Sequence, residues 1–139
     1  MSTHIYTSFS LLYDITKLAY LKDICYNLNG DFMFLKIGNK KIQIFEYKKF
    51  GERFKTFKFY LKDINFGLKL ARKKYANTYF FCQKVDVCFT DKNDRILYIY
   101  NNVASEKLIF KIKAHNIYYF PVGVCRLLKV GDIIKLQNK

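Results

Sequence analysis

The clearest pattern of apolar and polar positions lies between residues 85 and 100, where two apolar runs flank the turn-forming residues 91–94. Such a tetrad between β-branched and aromatic runs predicts a β-hairpin. Alternation at period two places Val85 and Val87 on one face of the first strand and Asp86 on the other. Asp86 is the one charged side chain in this otherwise apolar strand and is therefore a candidate for chemistry.

Further apolar runs predict more strands. A second hairpin is expected between residues 32 and 47, around Gly38-Asn39-Lys40. The stretch 61–75 is predicted to be a short helix or an ordered loop. Additional short strands are predicted at 76–82, 108–113, 117–120 and 133–136.

A helical period occurs near the start of the chain, in residues 10–28. Apolar residues recur there at steps of three and four, namely Leu11, Ile15, Leu18, Leu21, Cys25 and Leu28. Residues 1–30 are therefore predicted to form an N-terminal helical extension, and residues 31–139 a single mainly-β domain. About eight short strands with frequent turns predict a jelly-roll-like sandwich or a distorted barrel.

Composition agrees with one globular domain, since 139 residues of which 51% are hydrophobic can bury a sizeable core. Residues 1–10 contain no Lys or Arg, and the segment after them is interrupted by charges, so no signal peptide is expected. No apolar run approaches the roughly 18 residues of a membrane span. We therefore expect a soluble, cytoplasmic protein with no cofactor.

The four cysteines, Cys25, Cys82, Cys88 and Cys125, form neither a CxxC motif nor a cluster with histidine. A structural zinc site is therefore not expected. All four have apolar or aromatic neighbours in the sequence, which favours buried thiols in a reducing compartment.

The net charge of +14 predicts attraction to an anionic partner, such as nucleic acid or an acidic protein. Basic residues are concentrated between residues 40 and 74, and in 48–60 they alternate with aromatic rings. The candidate anion-binding residues are Lys48, Lys49, Arg53, Lys55, Lys58, Arg72, Lys73 and Lys74. Cations and rings together are typical of single-stranded nucleic-acid surfaces. The alternative is a half-exposed strand with rings in the core and lysines in solvent, in a chain whose composition favours lysine.

Residues 77–93 read NTYFFCQKVDVCFTDKN, and residues 113–123 read KAHNIYYFPVG. Together with 52–58 and the Gly-Asp pair in 129–133, they occur in the order and spacing of four motifs of domain of unknown function family 192. From about residue 41 to residue 136 the chain resembles this family of small bacterial and archaeal proteins. The resemblance implies a mainly-β, jelly-roll-like sandwich or barrel and no established activity.

The chain departs from the family pattern at polar positions. Asn77 stands where the family often has His or Trp, and Tyr119 replaces a Glu, whereas Asp86 and the pair Gly131-Asp132 are retained. Asp86, Asn77 and Tyr119 are thus the candidates for a polar pocket, from which most of the family's acidic and imidazole groups are missing. Asp86 acts either as an acid, base or cation ligand in a cleft, or as an acceptor for backbone N–H groups.

These observations favour a non-catalytic accessory or binding module with a basic face for an anionic protein or nucleic acid. A jelly roll that holds a small ligand is the alternative, and an enzyme using Asp86 is the third hypothesis. The sequence leaves the partner and the oligomeric state open.

Overall fold

The computed structural model describes residues 32–47 and 56–138, and in them the chain forms nine strands and one 3₁₀ turn at Cys125–Leu127. The strands are β1 (Phe32–Ile37), β2 (Lys40–Tyr47), β3 (Phe66–Ala71), β4 (Tyr75–Asn77), β5 (Val85–Thr90), β6 (Ile96–Val103), β7 (Leu108–Phe110), β8 (Asn116–Phe120) and β9 (Leu136–Gln137).

Seven strands form one sheet in the order β6-β5-β8-β3-β2-β1-β9, and β4 and β7 form a separate two-stranded ribbon. All pairs are antiparallel except β2 with β3. The mainly-β prediction is confirmed, but in the described part of the chain the large sheet is not closed, so a barrel is not confirmed. One large sheet with a small ribbon does not confirm a jelly roll. The helix predicted at 10–28 lies outside the described residues.

Both predicted hairpins are confirmed. In the first, β5 pairs with β6 so that Val87 lies opposite Tyr100, and Asp91 Oδ1 accepts hydrogen bonds from the backbone N–H groups of Asn93 at 2.8 Å and Arg95 at 3.0 Å. An aspartate that binds backbone donors in this way stabilises a turn. In the second hairpin, β1 pairs with β2 around the turn at Gly38, whose φ is +56°.

The large sheet is buried on both faces. On one face, Leu68, Val87, Phe89 and Ile117 belong to a first core, which the β4–β7 ribbon covers through Ala76 and Ile109. On the other face, Ile44, Cys88, Tyr118 and Phe120 belong to a second core, which the segment 124–134 covers through Val124, Cys125 and Ile134. Every residue of β5 and of β8 is buried.

The prediction for residues 61–75 is wrong, because Phe66–Ala71 is strand β3 near the centre of the sheet.

Gly67 explains how β3 fits there. A Cβ at this position would lie 2.6 Å from Ile44 Cδ1, 3.0 Å from Phe120 Cδ1 and 3.2 Å from the Tyr119 carbonyl oxygen. A residue without a side chain lets β3 pass between two large second-core residues without displacing them.

We expect Gly67→Ala to lower the free energy of unfolding by about 1–3 kcal/mol, since the added methyl group would overpack the sheet. Urea denaturation measures this loss. Ile44→Val removes the nearest atom, so the double variant should lose less stability than the sum of the two single variants. Strict additivity of the two losses would contradict this packing account.

Candidate functional site

Asp86 is 1% exposed and accepts three backbone hydrogen bonds. The donors are the N–H groups of Asn102 at 2.9 Å, Gly123 at 2.9 Å and Cys125 at 3.1 Å. The carboxylate thus joins β5 to the end of β6 and to the turn that follows β8. Three donors satisfy most of its accepting capacity, as the burial of a charge requires.

The three pocket candidates do not share a site. Asp86 lies opposite Phe120 and Val87 lies opposite Tyr119. Because paired residues share a face and successive residues alternate, Asp86 and Tyr119 lie on opposite faces of the sheet. The Tyr119 hydroxyl accepts from the Asn77 N–H at 3.1 Å and donates to the Asn77 carbonyl oxygen at 3.2 Å. Tyr119 and Asn77 therefore tie the ribbon to the sheet.

A second polar cluster surrounds Asp94, in the β5–β6 turn. Its carboxylate accepts from Lys69 Nζ at 3.1 Å, from the Tyr118 hydroxyl at 2.8 Å and from Asn116 Nδ2 at 3.0 Å. Burial and the negative charge of Asp94 raise the pKa of Tyr118, which keeps its hydroxyl a donor. The sequence gives no signal for this cluster, because its members lie on two distant strands and a turn. The donors occupy the carboxylate, which fits a structural clamp better than a catalytic group.

Among the described residues, no group of three or more His, Cys, Asp or Glu side chains is placed to hold a metal ion. The same part of the chain contains no helix with the length and apolarity needed to cross a membrane. An open groove lies between β1 and the segment 128–135; it is lined by Leu35, Ile37, Leu128, Ile134 and neighbouring residues.

The predicted anion-binding residues are distributed over different places. Lys48, Lys49, Arg53 and Lys55 lie outside the described residues. Lys58 is half-buried beside Phe81, and its burial lowers its pKa. Arg72, Lys73 and Lys74 come directly before β4. Arg72 and Lys74 are exposed, whereas Lys73 is buried with its Nζ 4.6 Å from the centroid of the Tyr75 ring.

The outer face of the β4–β7 ribbon carries apolar side chains in solvent. Tyr75 lies opposite Phe110, and Asn77 lies opposite Leu108. The exposed fractions are 39% for Tyr75, 59% for Leu108, 60% for Phe110 and 69% for Ile112, which follows β7. We call these four residues the apolar ridge. The inner residues Ala76 and Ile109 pack on the first core, so the ridge faces away from the protein.

Cations lie beside the ribbon that carries the apolar ridge. Arg72, Lys74, Lys107, Lys111 and Lys113 form what we call the basic rim; four are exposed and Lys111 is half-buried. Lys111 N–H donates to the Lys74 carbonyl oxygen at 2.8 Å, which joins the two basic stretches at one end of the ribbon. No acidic residue occurs in 72–81 or 107–115, and Glu106 directs Oε1 to the Phe80 N–H at 3.3 Å. The potential over the ribbon is therefore positive.

Lys111 also covers two rings on the sheet. Its Nζ lies 4.6 Å from the centroid of Tyr98 and 5.7 Å from that of Tyr100. The hydrogen bond with Tyr100 raises the pKa of Lys111, so this cation stays charged. The sequence shows the alternation in 108–113 but not which of its faces points outward.

The thiols also differ from the sequence prediction, since Cys82 is exposed, while Cys88 and Cys125 are buried in the second core. Cys25 lies outside the described residues. Burial, together with the charge of Asp94, raises the pKa of Cys88 to about 12. Burial likewise raises the pKa of Cys125.

Comparison with known proteins identifies the fold but no family. No family model matches the chain. No curated protein matches it. A protein of unknown function from Novosphingobium aromaticivorans DSM 12444 is similar in structure, with a TM-score of 0.61, 16% identity, and coverage of 75% of this chain and 83% of that one. The likeness to family 192 therefore stays a prediction.

A second solved structure, from Sinorhizobium meliloti 1021, is named as a putative transcription regulator. Its TM-score is 0.59 at 10% identity, and the match covers 77% of this chain and 91% of that one. At these identities the two likenesses establish a shared fold and leave the activity open.

Replacing Asp86 with Asn tests its three backbone contacts. We expect Asp86→Asn to lower the free energy of unfolding by about 2 kcal/mol. The amide has no negative charge, and its NH₂ group would face backbone N–H groups that also donate. Thermal or urea denaturation measures the change. Asp132→Asn is the matched control, since the exposed Asp132 accepts one N–H, from Lys129, at 3.0 Å. Equal losses from the two variants would contradict the structural role of Asp86.

The buried thiols predict a reactivity pattern. At pH 8 a thiol with a pKa of about 12 is ionised in only about one molecule in ten thousand, so iodoacetamide should leave Cys88 unmodified in the folded protein. Cys125 should behave alike. Both should be alkylated in urea, as measured by peptide mass spectrometry. Rapid alkylation of either residue in the native protein would show that the second core is open.

Proposed function

We propose that this protein is a non-catalytic nucleic-acid-binding module that uses the β4–β7 ribbon as its binding surface. The observation that carries the proposal is the basic rim around exposed rings, with no acid in residues 72–81 or 107–115. Lys and Arg at such positions neutralise phosphates and release counterions, which supplies most of the affinity of nonspecific binding.

The arrangement of charge supports nucleic acid more strongly than net charge alone does. Lysines that a biased composition scatters over a surface attract any polyanion. Here, cations from two distant stretches, 72–74 and 107–113, meet on one small ribbon and flank apolar side chains. Phosphates and bases are the two chemical groups such a surface would contact.

The engaged carboxylates support a non-catalytic role. Asp86 and Asp94 are each occupied by at least three hydrogen-bond donors, so neither is placed as an acid or base toward solvent. One structural neighbour is named as a putative transcription regulator, and such a role agrees with a nucleic-acid partner. We also propose that the chain belongs to family 192, whose motif order it follows.

Charge reversal at the rim tests this function. We expect the triple variant Arg72→Glu, Lys74→Glu and Lys113→Glu to bind labelled 12-nucleotide oligonucleotides at least tenfold more weakly than the unaltered protein, as measured by fluorescence anisotropy. With three to five phosphate contacts, the unaltered protein should show a log–log salt slope of about −2 to −3.5 on single strands. The slope of the variant should be shallower.

The control variant reverses three exposed lysines at the open groove: Lys36 and Lys135, which line it, and Lys129, which follows the lining residue Leu128. It changes the net charge equally, so it should retain most of the affinity. Equal weakening by the two triple variants would assign binding to overall charge and contradict a site on the ribbon. Poly-glutamate bound as tightly as oligonucleotides would favour an acidic protein partner instead.

A further inference from the structure

We propose that the apolar ridge selects unpaired nucleotides: bases stack on Phe110 and Tyr75 while the basic rim holds the phosphates on either side. This inference rests on the proposed nucleic-acid function and specifies its ligand as single-stranded nucleic acid. The rim accounts for attraction to any nucleic acid, whereas the ridge accounts for recognition of exposed base faces.

The ridge places large apolar groups where solvent would favour polar ones. Three of its side chains are about 60% exposed or more, although the inner residues of the ribbon already supply its packing contacts. Exposed apolar patches rimmed by polar residues mark interaction sites. A partner must therefore cover apolar area and also carry negative charge, since the rim is basic.

Rings and cations alternate over a short distance on this surface. Tyr75 and Phe110 are directly opposed, Lys73 holds its Nζ 4.6 Å from the Tyr75 ring centroid, and Lys74 and Lys111 follow at the next pair of positions. Single-stranded nucleic acid alternates planar apolar faces and anions along its backbone. In the proposed complex each ring meets a base and the exposed cations of the basic rim meet phosphates, whereas Lys73 fixes the Tyr75 ring.

The dimensions suit a short run of nucleotides. Strand β7 advances about 7 Å from Leu108 to Phe110 if it rises 3.3 Å per residue. The opposed rings of Tyr75 and Phe110 each offer a face to one base, so the surface suits about two nucleotides. In a duplex the bases are already stacked on one another within the helix. The rings of the ridge would then contact the sugar-phosphate backbone and could not stack on bases.

An anionic lipid surface or a second copy of the chain could also cover an apolar ridge. A second copy would bring its own basic rim against this one, and like charges would oppose association. A lipid surface needs apolar bulk rather than rings, so Phe110→Leu separates it from bases: leucine keeps apolar area but cannot stack as a ring does.

The experiment compares a 12-nucleotide single strand with its duplex in fluorescence anisotropy, using the full chain. We expect the unaltered protein to prefer the single strand, and Phe110→Leu to weaken single-strand binding about tenfold with duplex binding and salt slope unchanged. Phe80→Leu is the matched control: Phe80 is 53% exposed, but its ring already stacks on Phe59, with the centroids 5.3 Å apart, and its N–H binds Glu106. Thermal melting verifies that both variants fold.

The outcomes distinguish this inference from the proposed function. Equal binding of both nucleic acids, unaffected by Phe110→Leu, would overturn the stacking inference while leaving the nucleic-acid function intact. An absence of salt-dependent binding to either would overturn both. Equal weakening by Phe80→Leu would remove the ridge assignment. Binding to phosphatidylserine vesicles in preference to the single strand, or a dimer in sedimentation that is lost in Phe110→Ser, would assign the ridge to lipid or to a second copy.

Discussion

Burial of the seven-stranded sheet on both faces constrains every polar group on its central strands. Each residue of β5 and β8 is enclosed by one core or the other. A buried carboxylate or hydroxyl must then find its hydrogen-bond partners within the protein. Asp86 finds three backbone N–H groups, Tyr119 finds the backbone of Asn77, and Tyr118 finds Asp94. The residues that look most chemical in the sequence are thus part of the architecture.

The same constraint leaves the β4–β7 ribbon as the place where side-chain identity is least dictated by folding. A two-stranded ribbon is marginal by itself in water. Here it is held by Ala76 and Ile109 on the first core and by hydrogen bonds to the Lys74 and Lys107 carbonyl oxygens at its two ends. None of these contacts requires Leu108 or Phe110 on the outer face. Their presence there has a simpler account in binding than in stability.

Local chemistry explains which parts of the fold the sequence predicted. The β5–β6 hairpin depends on a turn whose capping aspartate is visible in residues 91–94. Strand β3 was missed because Gly67 and Lys69 interrupt its apolar run, and because its neighbours are β2, in parallel, and the distant β8. The need for a glycine arises only when Ile44 and Phe120 approach from both sides. Such tertiary requirements leave no periodic signal in the sequence.

The sequence predicted only part of the candidate site, because strand pairing brings together residues that are distant in the chain. Arg72 and Lys74 belong to the basic tract seen in the sequence, but the rest of the rim comes from residues 107–113, which only the pairing of β4 with β7 brings near. Alternation in 108–113 was visible, yet period two does not say which face is buried. A strand with lysines on one side and apolar residues on the other would ordinarily turn the lysines outward.

The positions of the rings therefore support a binding surface more strongly than the number of lysines does. A lysine-rich composition places positive charge over much of a surface, and its attraction to polyanions would follow without any site. Composition does not place Phe110 and Leu108 on the outer face of a strand pair whose inner residues are Ala76 and Ile109. Nor does it bury Lys73 against Tyr75, where the cation is poorly placed to reach a phosphate but helps to fix the ring. An exposed ring that a buried cation orients agrees with the proposed ligand, whose bases offer flat faces for stacking.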